Sequence, residues 1–162
     1  MQIQRQNLYT KVIELLNQAR QNVTQTINNA MATAYFEIGR MIIEEEQQGK
    51  ERAEYGKQIL NELSERLVVE LGKGFSKRNL EQMRQFYLTY SIAQTVSAQF
   101  KLTWSHYLKL MRIKDLNERN FYEIEALKNN WSLRELQRQY DSALYTRLTL
   151  SKNKKEILSR CM

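Results

Sequence analysis

No proline interrupts this chain, and only five glycines occur in its 162 residues. Proline ends helices and closes many of the turns that strands need, so its absence leaves long uninterrupted helices as the natural outcome. The rest of the chain agrees. It is crowded with Leu, Gln, Glu, Lys, Arg and Ala, which lose little rotamer freedom in a helix. The expected fold class is all-α: a multi-helix domain with a long N-terminal helix, a helix-turn-helix-like pair in the middle and a second lobe of three short helices. Residues 1–150 are expected to form one helical module, with possible lobes at 1–92 and 102–150, and 151–162 a polar, basic tail.

The long first helix rests on one apolar stripe: Leu8, Val12, Leu15, Ala19, Val23, Ile27, Met31, Tyr35, Ile38 and Ile42 recur every three or four residues. Their mean step lies at or slightly above 3.6, which fits a packed helix or helix pair better than a left-handed coiled coil. A break is allowed near Gln21 and Asn22. Glu44, Glu45 and Glu46 end the helix, with Gly49 as the stop signal. A second helix, from about Arg52 to Leu71, places Ile59, Leu60, Leu63, Leu67 and Val68 on one face. Gly72 and Gly74 then permit a sharp turn. Ser76 offers its hydroxyl as an N-cap to a third helix carrying Leu80, Met83, Tyr87 and Tyr90.

Helix, glycine turn and capped helix outline a helix-turn-helix, in which the start of the second helix enters the major groove of duplex DNA. The first residues there are Lys77, Arg78, Asn79 and Gln82. Arginine forks onto guanine, Asn or Gln onto adenine, and lysine neutralises phosphate. Lys73, Ser76, Arg84, Arg134 and Arg138 complete the expected DNA-contacting set, with Arg147 further along the last helix. The same outline also describes an ordinary corner between two helices.

Charge supports a polyanionic partner. Residues 1–48 sum to −1 (four basic, five acidic), 49–101 to +3 (nine, six) and 102–162 to +5 (twelve, seven), for a net +7. The basic surplus therefore lies in the second and last thirds. The segment Ser91 to Lys101 reads as a fraying end or linker. Thr103 or Ser105, Asp115 with Glu118, and Ser132 with Glu135 then mark three further helix starts.

Catalytic chemistry has little to build on. His106 is the single histidine and Asp115 and Asp141 are the only aspartates, so triads and histidine-zinc sites lack members. His106 reads as a packed or capping residue. Gly72-Lys73-Gly74 lacks P-loop spacing, and Glu123, Glu125 and Lys128 on one helix cannot converge on metal ions. No catalytic residue, metal or cofactor is expected. With Cys161 alone and no apolar run near the ~20 residues of a membrane span, a cytoplasmic home with reduced thiols is expected.

Several blocks together carry a likeness. Tyr35-Phe36-Glu37-Ile38-Gly39-Arg40, Tyr55-Gly56-Lys57, Leu71 through Leu80, Met83-Arg84-Gln85-Phe86-Tyr87, Leu102 through Tyr107 and Trp131 through Leu136 resemble the N-terminal module of the YhcG family over roughly residues 10–150. The resemblance implies a two-part protein, a helical domain of suspected DNA-binding character preceding a nuclease-like domain of the PD-(D/E)XK type. This chain is expected to stop about where that second half would begin, so only the role of the helical module carries over. The expected partner is duplex DNA. The alternative is an assembly module, a homo-oligomer or the docking half of a nuclease partner, working through the long first helix.

Overall fold

The computed structural model describes residues 2–48, 53–91 and 100–151. Among them the chain forms helices α1 (Gln2–Gln48), α2 (Ala53–Leu71), α3 (Lys77–Tyr90), α4 (Trp104–Leu110), α5 (Leu116–Lys128), α6 (Leu133–Asp141) and α7 (Leu144–Leu150). A 3-10 turn at Lys73–Phe75 joins α2 to α3, and no strand occurs among these residues. The protein is all-α. Gly49 as a stop signal, most of the softer segment after Ser91, the basic tail and Cys161 fall outside the described residues.

The first helix, 47 residues long, extends about 70 Å at 1.5 Å per residue. It runs through Gln21 and Asn22 without the allowed break, and there the Thr24 and Thr26 hydroxyls donate back to the carbonyls of Arg20 and Asn22. Only its second half joins the body. There α3 lies along it at close range, and Gly39 makes that approach possible: a Cβ added at Gly39 would stand 2.1 Å from the Met83 carbonyl oxygen. Ile42, Leu60, Leu80 and Met83 form one small core between α1, α2 and α3.

A second, larger core is built around Phe86. Its ring meets Phe36, Tyr90, Phe100, Trp104 and Tyr107 at centroid distances of 4.7 to 5.8 Å. Ala32 of α1, Leu102, Leu110 and Ile113, Phe121, Tyr122 and Ala126 of α5, and Leu136 of α6 complete it. Residues on either side of position 100 therefore share one core, and burying so many aromatic side chains supplies much of the driving force for folding.

The C-terminal portion departs from expectation in its count: four short helices form, not three. Asp115 and Ser132 cap α5 and α6 through the backbone N–H of Glu118 and Glu135, as the spacing requires. The last helix is cut at Ala143, which adopts a left-handed φ of 52°. The Tyr122 hydroxyl, accepting from the Tyr145 N–H, helps hold this bend, so a tertiary bond outweighs the continuous helical pattern from Leu133 to Leu148. Thr103 occupies the cap position of α4 but makes no capping bond; its hydroxyl turns to His106 instead.

Candidate nucleic-acid interface

The corner between α2 and α3 begins where Gly72 takes a φ of 93°, a conformation that costs an L side chain about 1–2 kcal/mol. Its N–H closes on the Val68 carbonyl at 3.0 Å, and the 3-10 turn returns the Phe75 and Ser76 N–H groups to Gly72 and Lys73. Phe75 packs onto the small core with Leu80 and Met83. That apolar anchor fixes the start of α3 and turns its other side outward.

Arg78 and Lys73 are exposed, and Lys77 and Gln82 are half-buried. Lys73, Lys77 and Arg78 have no ion-pair partner among the described residues. Glu81, exposed one turn along from Lys77 and Arg78, offsets part of their charge. Ser76 stands at the cap position with its side chain unbonded, which corrects the expected hydroxyl cap. The first-turn N–H groups of α3 thus receive no side-chain acceptor, and a helix start in this condition attracts anions. Asn79 folds its amide back to donate to the Gly74 carbonyl at 3.0 Å, so it braces the turn instead of reaching outward.

Two of the expected cations are engaged. Arg84 donates from Nε to both carboxylate oxygens of Glu46, at 2.8 and 2.9 Å, tying α3 to the end of α1. Arg138 is held by Glu135 at 2.6 Å, and hydrogen bonds from Arg138 and Gln139 hold that carboxyl below the usual carboxylate range. Arg147 donates to the Ser142 hydroxyl. Arg134 is exposed without an ion pair among the described residues. The structure separates these groups: α6 packs on α4, α5 and α7 and touches neither α2 nor α3. The α2–α3 corner and the α6 arginines are not one patch.

Further features lie away from this corner. An open cleft of about 470 Å³ lies between α1 and the α4–α6 region, with Arg20, Thr24, Lys101, His106 and Trp131 on its walls. His106 is structural there: Nε2 donates to the Trp131 carbonyl at 2.9 Å, leaving Nδ1 to accept from Thr103 at 2.6 Å. Tyr90, Tyr107, Arg119 and Glu123 form a largely buried polar group, with Arg119 over the Tyr90 ring. Burial first, and the Glu123 charge second, push both tyrosine hydroxyls above the usual phenol range. Among the described residues no cluster of three potential metal ligands occurs, and no helix is long and apolar enough to cross a membrane.

Comparison with known proteins bears on what this arrangement serves. No solved structure matches the chain. It is 35% identical over 185 aligned residues to an Escherichia coli (strain K12) protein named "Putative nuclease YhcG", a match that takes in 96% of this chain and 49% of that protein. The chain thus spans about half the length of that relative. The family model described as the DUF1016 N-terminal domain matches residues 11–147, a span that includes the α2–α3 corner, the Phe86 core and most of the four short helices, and on that extent the chain belongs to the DUF1016 N-terminal domain family.

Proposed function

We propose that this domain is the DNA-binding module of a nuclease-associated protein, contacting duplex DNA through the 3-10 turn and the first turn of α3. One observation carries the reading: Lys73, Lys77 and Arg78 cluster without ion pairs at a helix start that has no side-chain cap. Cations at such a start bind phosphate through charge and through the free backbone N–H groups together. Arg78 and Gln82 are the side chains available for base edges. Asn79 and Arg84 support the geometry by holding the turn and the α1–α3 junction. The name of the relative, "Putative nuclease YhcG", supports the association with nucleic acid; cleavage itself is assigned to no residue of this chain.

The test is a fluorescence-anisotropy titration with duplex DNA at several salt concentrations. Lys77→Ala combined with Arg78→Ala should weaken binding at least tenfold and lower the salt slope by about 0.9 for each phosphate no longer neutralised. Arg84→Ala should lower stability while leaving affinity within about twofold, since its guanidinium is committed to Glu46. Unchanged affinity in the double variant rejects the site, and absence of binding by the unaltered chain at low salt rejects the reading.

A second reading, assembly through α1, is favoured by the apolar side chains that its first half leaves in water, Leu15 at 66% and Val23 at 60% exposure.

A further inference from the structure

The first half of α1 is two-faced in a direction that the body does not explain. At about 100° per residue, Ala32, Phe36, Gly39 and Ile43 define the face turned to α3 and the cores. Thr24, Gln25 and Asn28 continue that inner face toward the N-terminus and line the cleft opposite Lys101 and Trp131. Leu8, Val12, Leu16 and Val23 fall on the opposite side, with Ile27 and Met31 turning onto its flank, and all six are 41 to 64% exposed. The stripe read from the sequence is thus a slow spiral. Its late members Ile38 and Ile42 come round onto the small core, while its early members point away from the molecule.

The polar residues show that this is not simply a solvated surface. Beyond Met31 the outer face changes character, with Arg40 bridging Glu37 and Glu44. Between Leu8 and Met31 there are only three charged residues, Lys11, Glu14 and Arg20. That stretch also contains Asn17, Asn22, Val23, Thr24, Thr26, Ile27, Asn28 and Asn29, poor helix formers all. A helical segment of such composition is held by packing of its apolar face, not by its own propensity.

The spacing of the exposed side chains suits one occupant in particular. They are symmetric about the junction of Ala19 and Arg20: Leu16 and Val23 stand equally far on either side, then Val12 and Ile27, then Leu8 and Met31. A helix face with this property is complementary to itself when reversed, which is what a two-fold interface between identical chains demands. Ala19, small and exposed at the centre, lets two backbones cross closely. From Leu8 to Met31 the face is about 35 Å long. Losing about 80 Å² from each of these six apolar side chains removes roughly 480 Å² per copy, about 1,000 Å² in all, the size of a weak or transient interface.

We infer that residues 8–31 of α1 pair antiparallel with the same segment of a second copy of this chain, Leu16 of one against Val23 of the other, with Ala19 of each beside Arg20 of the other at the crossing. This rests on the assembly reading and names its partner and register. The DNA-binding corner lies elsewhere on the molecule, so each copy would keep its own.

Sedimentation velocity across a concentration series, together with disulfide trapping in a Cys161→Ser background, tests the inference. The unaltered chain should sediment as a dimer. Val23→Glu should sediment as a monomer and lose helical circular dichroism from the arm, with the melting of the body unchanged because Val23 faces away from it. On mixing and oxidising Leu16→Cys and Val23→Cys proteins, the cross-linked product should be the unlike pair. A monomer at every concentration overturns the assembly reading and the inference with it. A dimer that survives Val23→Glu, or that yields only like pairs on oxidation, overturns the antiparallel pairing and leaves assembly by another surface.

Discussion

Replacing Gly39 by alanine sets a methyl group where the Met83 carbonyl already stands. The added carbon would lie 2.1 Å from that oxygen, 2.8 Å from its carbon and 3.0 Å from the Tyr87 Cβ. Ordinary contact begins near 3.4 Å, and the obstacle is helix backbone, which cannot swing aside as a side-chain tip can. Helices α1 and α3 must therefore separate by about 1 Å along the junction that also positions Arg84 on Glu46 and Phe36 on Phe86. Overpacking of this kind costs about 1–3 kcal/mol, and rigid backbone argues for the upper end. Alanine in place of glycine within a helix recovers about 1 kcal/mol through propensity. The net is a loss of about 2 kcal/mol, a fall in Tm of roughly 4–8 °C for a domain of this size. Thermal and urea denaturation followed by circular dichroism measure it, with Gly74→Ala as the comparison, since nothing lies within 4 Å of a Cβ there and its effect should stay within about 0.5 kcal/mol. Because propensity alone predicts stabilisation, a Gly39→Ala protein as stable as the unaltered one would refute the close-approach argument outright.

Two other sites make independent predictions. His106→Ala leaves the buried side of the Trp131 carbonyl and the Thr103 hydroxyl without their shared partner, which should cost about 2–3 kcal/mol in urea denaturation, and a cost below about 0.5 kcal/mol would remove His106 from its structural role. Burial pushes the Glu123 carboxyl above the usual carboxylate range, against the opposing pull of Tyr90, Arg119 and Tyr107. A raised folded pKa means that the contribution of this group is fully present below its unfolded value of about 4.3 and is lost as pH rises through the folded value. Glu123→Gln should therefore match the unaltered chain near pH 4 and exceed its Tm at pH 7; a difference that does not vary with pH counts against the argument.

Local chemistry made much of the fold readable. Absence of proline, the apolar periods and the caps at Asp115 and Ser132 place most helices within a few residues of their observed ends, because each of these signals acts over a single turn. What escaped the sequence depends on partners far along the chain. Arg84 meets Glu46 across 38 positions, and nothing near Arg84 forecasts that it would be occupied. Gly39 stood out as part of a block of family likeness, yet its reason, the Met83 carbonyl, exists only once α3 is docked. Ala143 has no local preference for a left-handed backbone, so the division of the last helix into α6 and α7 was invisible. In the candidate site, the place of Lys73, Lys77 and Arg78 at a helix start was readable from the sequence, whereas the inward turn of Asn79 and the unbonded Ser76 hydroxyl follow from the path of the 3-10 turn. The apolar stripe of α1 was plain, but which half of it faces water depends on where α3 and α4 come to rest.

The continuity of α1 through Gln21 and Asn22 has a mechanical consequence. With no joint between its projecting portion and the portion seated on α3, the helix behaves as a stiff shaft: a grip on residues 8–31 fixes the heading of everything mounted on residues 32–48. A twist imposed at the far end is carried along the helix toward the Gly39 contact, roughly 40 Å away.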